Sequence, residues 1–443
     1  MKFTHQLFLL IIIVFWNAQS NAQKSFLQSG PMLGYTDMLE TMLWVQTTSA
    51  AKVQIAYWDK EANPVSEKKF TDIYSTNKKE GYTAHLVADQ VEPGKVYAYQ
   101  LLINDKPIDF EYPTEFQTQP LWQWRNDPPP FKMAIGSCFY VNETKYDRPG
   151  KPYGGDYQIF EALHAQRPDA MLWLGDNTYL REVDWYTRTG FIHRYTHTRS
   201  LPQLQPLLAS THHYAIWDDH DYGPNDSDRS FVHKALSKEV FQLFWGNPTY
   251  GLPGKEGITT SFKFVDMDFF LVDNRTFRNP NQRTTGEQVL IGQDQMEWLI
   301  DALVASSAPF KFIAIGGQVL NPSAKHERYV NLCPEERTYL LKRIGEEGIK
   351  NVVFLTGDVH HTELSKLETS NGSTIYDLTV SPLTSGVYES DGENRLVVEG
   401  TIVNERNFGI LEFSGPRTER VMTISVFNSN GDEQWRKEIA AEK

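Results

Sequence analysis

The chain has 443 residues and a formal net charge of -13, with 40% hydrophobic and 22% charged residues. That length exceeds one ordinary core and that balance belongs to a folded chain, which excludes intrinsic disorder and points to two domains. The acidic surplus makes a poor general binder of nucleic acid or anionic membrane, so no specific nucleic-acid partner is expected. A small anionic substrate stays open, because metal ions can reverse a local field.

The first 22 residues read as a signal peptide. Lys2 supplies a short basic region, Leu7–Trp16 an apolar run short for a bilayer, and Ser20-x-Ala22 a small-residue cleavage site. Cleavage after Ala22 would remove one Lys and no acid, taking the charge from -13 to -14. The alternative is an uncleaved anchor. No Cys follows the run, which disfavours a lipoprotein, and no later segment is apolar enough to span a membrane. The expected product is exported, periplasmic or secreted, and monomeric. Cys138 and Cys333 are the two cysteines. They could form a disulfide in that compartment, or Cys138 could be taken by metal and leave Cys333 spare.

Residues 24–118 read as a small all-β sandwich. Thr41–Thr47 is strand-like, Ala51–Trp58 alternates with Val53, Ile55 and Tyr57 on one face, and Tyr82–Ala88 and Val96–Ile103 follow. Pro93-Gly94 is a turn and Asn104-Asp105 a hairpin turn. Nothing here carries catalytic residue types. From Glu111 to Pro130 the composition and the run Pro128-Pro129-Pro130 oppose regular structure, and residues 119–130 read as the linker, pinned by Trp122 and Trp124.

Residues 131–443 alternate strands and helices. Phe131–Gly136 is a strand, Tyr157–Gln166 a helix, and Ala170–Leu174 and His213–Trp217 are strands. Thr260–Asp273 reads as a hairpin turning at Asp266-Met267-Asp268. A helix over Gln293–Ala305, a strand over Phe310–Ile315, a helix over Glu335–Glu347 and a strand over Asn351–Leu355 come next. Ile375–Val380, Phe408–Phe413 and Arg420–Phe427 are the final strands. The expectation is an α/β layered domain of about three hundred residues.

Four of these strands end in residue types that bind metals or handle phosphate, and ligands in open α/β sheets bind beyond the carboxyl ends of strands. Gly136-Ser-Cys138 offers a thiol that could be a ligand, a nucleophile or inert core. In Gly175-Asp-x-x-Tyr179, the Asp176 carboxylate can bridge two cations, and the Tyr179 phenolate suits ferric iron. Asp218-Asp219-His220-Asp221 gathers three carboxylates that would repel one another without cations. In Gly357-Asp-Val-His360, an extended segment would project Asp358 and His360 to one side and His361 to the other, as a surface or substrate-side residue.

Taken together, these motifs resemble the PhoD-type alkaline phosphatases of the calcineurin-like metallophosphoesterase superfamily, preceded by a sandwich similar to that of purple acid phosphatases. Gly136-Ser-Cys138, Gly175-Asp-x-x-Tyr179, Trp217-Asp-Asp-His220 and Gly357-Asp-Val-His360 match in order, and Val272-Asp-Asn-Arg275 and Gly317-Gln318 resemble further segments. The fold implied is a β-sandwich core flanked by helices, an α/β layered metallophosphoesterase. The activity implied is hydrolysis of phosphomonoesters, phosphodiesters or both at a site holding Fe3+ and Ca2+, with other divalent ions able to substitute.

By position, Cys138, Tyr179 and His360 would hold iron, Asp176 would bridge, and Asp219 and Asp358 would hold calcium. His220 would contact the phosphoryl group or protonate the leaving group, with Arg275 and Asn225 as weaker matches that would either support the ligands from behind or contact substrate. The implied nucleophile is a hydroxide bridging the cations. Asp221 stands where the family often has Glu, and the loop Gly223–Asp228 is a poor match. Three alternatives remain: a diesterase for phospholipid, cell-wall polymer or nucleotide substrates, a non-catalytic surface-binding protein, and a cysteine hydrolase using Cys138.

Overall fold

The computed structural model describes residues 26–61, 68–369 and 372–443. The signal peptide expected over residues 1–22 lies outside the described residues. Two compact units are present. One holds the described residues up to Pro120 together with Leu208–His212; the other is Leu121–Leu207 with His213–Lys443. Among the described residues no helix is long and apolar enough to cross a membrane.

The first unit is a β-sandwich. Its strands are β1 (Leu27–Thr36), β2 (Thr41–Thr47), β3 (Lys52–Asp59), β4 (Lys69–Phe70), β5 (Tyr74–Ser75), β6 (Thr83–Ala88), β7 (Val96–Ile103), β8 (Lys106–Pro107) and β9 (Glu115–Gln117). β1, β2 and β6 form one sheet; in the other, β3 pairs with β4, β5 and β7, and β7 with β8 and β9. Val53, Ile55 and Tyr57 are fully buried, as their alternation requires, and pack with Leu43, Val45 and Leu86. Asn104 and Asp105 both take positive φ, the two-residue turn whose twist matches a hairpin.

The stretch from Glu111 departs from expectation by contributing β9. Phe116 drives this: it is 2% exposed and stacks on Tyr97 at 5.3 Å, so burying its ring offsets the cost of ordering the segment. Leu121–Pro130 belongs to the second unit. Trp122 does pin it, donating from Nε1 to the Val265 carbonyl at 3.2 Å. Trp124 does not, being 96% exposed.

The second unit has two sheets flanked by helices. Its strands are β10 (Phe131–Gly136), β11 (Ala170–Leu174), β12 (His212–Ile216), β13 (Thr260–Phe264), β14 (Met267–Leu271), β15 (Lys311–Ala314), β16 (Val352–Thr356), β17 (Glu363–Glu368), β18 (Thr374–Thr379), β19 (Asn407–Ser414), β20 (Val421–Asn428) and β21 (Glu433–Ala440). The longer helices are α1 (Ile159–Ala165), α2 (Arg188–Arg199), α3 (Lys234–Phe244), α4 (Gln293–Ala305) and α5 (Pro334–Glu346).

One sheet runs β21-β20-β19-β10-β11-β12 and the other β13-β14-β15-β16-β18-β17. β10 and β11 are parallel, as are β14, β15, β16 and β18. Aromatic side chains join the inner faces: Phe131 stacks on Phe413 at 4.6 Å, and Phe413 meets Phe312 edge-on at 5.5 Å. The layered α/β unit and the separate β-sandwich are therefore both present.

Several elements differ from the sequence reading. The β13–β14 hairpin turns at Val265-Asp266, one residue early, with Val265 at φ 54°. α2 was invisible to periodicity because its buried face includes Arg194, whose Nε meets Asp184 at 2.7 Å; an ion pair does there what an apolar side chain does elsewhere.

Candidate metal centre

The four motifs close β10, β11, β12 and β16, and their backbones are pressed together. A Cβ on Gly175, at φ 93°, would lie 2.7 Å from the Asp218 Cβ; one on Gly357 would lie 2.6 Å from the Ser137 side chain. Only glycine permits that approach. Backbone bonds lock the loops: Cys138 N–H donates to the Gly175 carbonyl at 3.2 Å, Phe139 N–H to the Asp176 carbonyl at 2.8 Å, and Gly357 N–H to the Gly316 carbonyl at 2.7 Å. Asp221 accepts from Asn177 N–H and Asp218 N–H, both at 3.0 Å, and so ties two motifs together without facing the centre.

Strain is concentrated in the expected ligands. Cys138, Asp176, Asp358 and His360 all have φ between 51° and 68°. Side-chain-bearing residues adopt this left-handed conformation at a cost of about 1–3 kcal/mol each, and such residues cluster where function holds them. Gly357–His360 is therefore not the extended segment anticipated; it is a tight turn that still delivers Asp358 and His360 to one cavity. Of the two places expected for His361 the structure gives the substrate side, since it lines the same cavity as Asp358 and His360 and is buried. It is 3% exposed, with Nδ1 3.2 Å from the Val359 carbonyl and Nε2 3.7 Å from Glu363.

Cys138, Asp176 and His360 have potential ligand atoms mutually within 4.8 Å, and so do Asp176, Asp219 and His220, so Asp176 belongs to both groups. Tyr179 Oη joins the first group at 3.3 Å from His360 Nε2. Asp219 turns one oxygen to the His220 N–H at 2.8 Å and the other to the Asp226 N–H at 2.7 Å. The His220 ring lies 4.2 Å from the Tyr179 ring. His220, Asn225 and Asp358 line a cavity of about 820 Å³ that opens on these groups, with Asn225 exposed at its rim.

Of the two places expected for Arg275, behind the ligands or on substrate, it takes the first. It is 1% exposed and bonded to Asp218 through Nε at 2.5 Å and to Glu327 at 2.7 Å, so it braces the centre from behind and does not reach substrate. Glu327 also pairs with Arg278 and accepts from Asn281 at 2.9 Å. Asp218, Glu327 and Asp226 are site residues that the motifs do not mark: Asp218 lies inside a motif beside Asp219, and Glu327 has no local signal at all.

The donor set fits cations. Burial and the neighbouring Asp219 push the Asp176 carboxyl well above its ordinary range, and burial with Asp218 does the same to Asp358. Burial and Asp176 also raise the Cys138 thiol and the Tyr179 phenol. Burial lowers His360 to about 4 and holds His220 below its usual value, so both rings are neutral near pH 7. Asp219 is held low: burial opposes ionisation, but the His220 ring when protonated and the Arg275 guanidinium outweigh it. Asp218 Oδ2 is buried with no hydrogen-bond partner. Such a packing of hard oxygens, one thiol and neutral imidazole is what metal ions stabilise. Cys138 and Cys333 are both free, which removes the disulfide alternative.

A family model described as PhoD-like phosphatase matches residues 133–413, and one described as a domain of unknown function, DUF7800, matches residues 24–121. Alkaline phosphatase D of Bacillus subtilis (strain 168) is 22% identical over 341 residues, covering 65% of this chain and 54% of that protein. The chain thus spans about half the length of that curated relative. The solved structure of PhoD has a TM-score of 0.75 at 16% identity, covering 95% of this chain and 93% of its own. A purple acid phosphatase from yellow lupin (Lupinus luteus) seeds has a TM-score of 0.65 at 12% identity, covering 93% and 74%. These structural likenesses establish a metallophosphoesterase-like α/β fold behind a separate β-sandwich. The family match covers well over half the chain, from β10 to β19, and the chain belongs to the PhoD-like phosphatase family.

Proposed function

We propose that this protein is an exported, metal-dependent hydrolase of phosphoric esters, acting on monoesters, diesters or both. The observation that supports this most is the meeting of Cys138, Asp176 and His360 with Tyr179, Asp219 and Asp358 at one buried cavity. Family membership implies a metal cofactor. In this reading Cys138, Tyr179 and His360 would hold Fe3+, Asp219 and Asp358 would hold Ca2+, whose hardness suits carboxylates, and Asp176, which belongs to both groups, would serve either ion. When bound, the cations neutralise phosphate oxygens and activate water for attack on phosphorus.

The chain's own residues then orient the ester. Neutral His220 keeps a proton on one ring nitrogen and offers it to an ester oxygen, its ring angle set by Tyr179. Asn225, at the cavity rim, is the further polar contact. Asp219 is fixed by two backbone N–H groups, so its position does not depend on substrate. Arg275 is a positioning residue acting through Asp218.

A cysteine hydrolase is less well supported. Cys138 is fully buried, its thiol is pushed up by burial, and its hydrogen-bond contacts are Ser381 Oγ at 3.2 Å, Asp176 and the Asp358 carbonyl, with no imidazole base among them. The test is hydrolysis of p-nitrophenyl phosphate and bis(p-nitrophenyl) phosphate at alkaline pH, before chelation, after it, and after calcium return. Activity that chelator abolishes and calcium restores is expected. Full activity in chelator would sink the metal reading.

A further inference from the structure

Two cavities, of about 820 and 300 Å³, meet at the centre, and both are lined by Tyr153, His220, Asn225 and Tyr388. A phosphorus atom held at His220 therefore has two directions open to its substituents. The walls of those two directions differ in chemistry.

The smaller arm is walled by Tyr140, Pro149, Pro152, Leu180 and Trp185. Its rings are already packed, with Tyr140 at 4.9 Å from Tyr153 and 5.1 Å from Tyr179. Arg181 lies flat on the Tyr140 ring at 3.9 Å and is bonded to Asp147, so its charge is spent. Arg148, Lys151 and Glu182 also line this arm, so it is the part walled by rings and prolines that suits a planar or apolar group.

The larger arm runs past Glu327 to Arg278, Asn281, Arg283, Gln288 and His326. Glu327 is neutralised by Arg275 and Arg278. Arg283 differs: its Nε donates to the Thr285 carbonyl at 2.7 Å, and among the described residues no carboxylate lies within ion-pair distance of it. Its loop is braced, since Gln288 donates to the Arg283 carbonyl at 2.9 Å and accepts from Asn279 at 2.6 Å. A braced, exposed guanidinium without a counter-ion on the wall of the larger arm is a ready partner for anionic oxygens.

We propose that Arg283 forms a second-anion subsite, so that the preferred substrate is an unsymmetrical phosphodiester. Its planar or apolar substituent lies in the aromatic arm, and its other substituent carries a further phosphate or carboxylate against Arg283. This rests on the phosphoesterase reading of the centre. In the reaction, the water oxygen bonds to phosphorus, the bond to the leaving oxygen breaks, that oxygen takes the His220 proton and leaves as the alcohol or phenol, and one water proton restores the His220 ring while the other stays with the product phosphate or passes to solvent.

The test compares the p-nitrophenyl ester of thymidine 5′-phosphate with the same compound carrying a 3′-phosphate, using the metal-loaded full chain and p-nitrophenyl phosphate as reference. The 3′-phosphate is expected to lower KM about tenfold, an advantage that Arg283→Ala removes and Arg283→Lys partly keeps. A 3′-carboxymethyl analogue shows whether any anion serves or phosphate is required. Equal KM for the two phosphate compounds in the unaltered protein, or an advantage that survives Arg283→Ala, overturns the subsite while leaving the phosphoesterase reading intact. No turnover of any ester, the reference included, overturns both.

Discussion

Tyr179 Oη and His360 Nε2 lie 3.3 Å apart although 181 residues separate them in the chain. The first follows β11 and the second follows β16, strands that belong to different sheets. The contact is therefore a measure of how the two sheets are packed, and it identifies the line along which the centre is assembled.

Tyr179→Phe removes the hydroxyl proposed to hold iron and keeps the ring that packs on His220 and Tyr140. The expected outcome is an unchanged fold with bound iron at half the unaltered level or less. Elemental analysis of the purified protein checks it, with circular dichroism as the fold control.

Asp176→Asn removes one charge from a cluster in which Asp219, Asp218, Asp221 and Asp358 all push against it. The metal-free protein should gain stability, because a repelled buried carboxylate is replaced by a neutral amide. The same change should erase the stabilisation by cation, which for a single site at a hundred times its Kd is about 2.7 kcal/mol. Thermal unfolding with and without added calcium reads both effects; an unchanged response to calcium would count against Asp176 as a ligand.

The metal-free protein should be more stable at pH 5 than at pH 8. Burial raises Asp218 to about 6, despite Arg275, and Asp176 and Asp358 are pushed up as well. A carboxyl raised above its unfolded value of about 3.9 binds its proton more tightly when folded. Its contribution is thus complete below about pH 4 and is lost as pH rises through about 6, which for Asp218 amounts to about 2–3 kcal/mol. Urea unfolding of chelated protein across this range should show the fall, and loading with metal should flatten it.

Glu327→Gln leaves Arg278 without a carboxylate and Arg275 with Asp218 alone. Both guanidiniums are at most 2% exposed, so a loss of about 3–5 kcal/mol is expected. A loss of unfolding free energy, from urea midpoint and slope, smaller than about 1 kcal/mol would show that the pairs are replaced by water.

Gly175→Ala should destabilise by about 2–4 kcal/mol, from a left-handed backbone and a Cβ forced against Asp218. Gly254 is the control: it has positive φ, but nothing lies within 4 Å of an added Cβ, so Gly254→Ala should cost only the backbone part, about 1 kcal/mol. Denaturant midpoints of the two variants compare packing with conformation directly.

The strands that carry the site and the residue types at their ends are legible in the sequence. A run such as Ala170–Leu174 is buried throughout, and a glycine followed by a charged residue after such a run has few structural readings. Hairpin turns such as Asn104-Asp105 were legible for the same reason, since the preference is local. Tertiary structure alone decided which charges are spent and which are free. Arg275, Arg278 and Arg283 lie within nine residues of one another and look alike in the sequence, yet two are consumed by Asp218 and Glu327 and one is not. Glu327 and Arg194 gave no periodic signal because their partners come from other elements. Local chemistry sets what a side chain can do, but Coulomb energy depends on distance and burial, and both of those are properties of the folded chain.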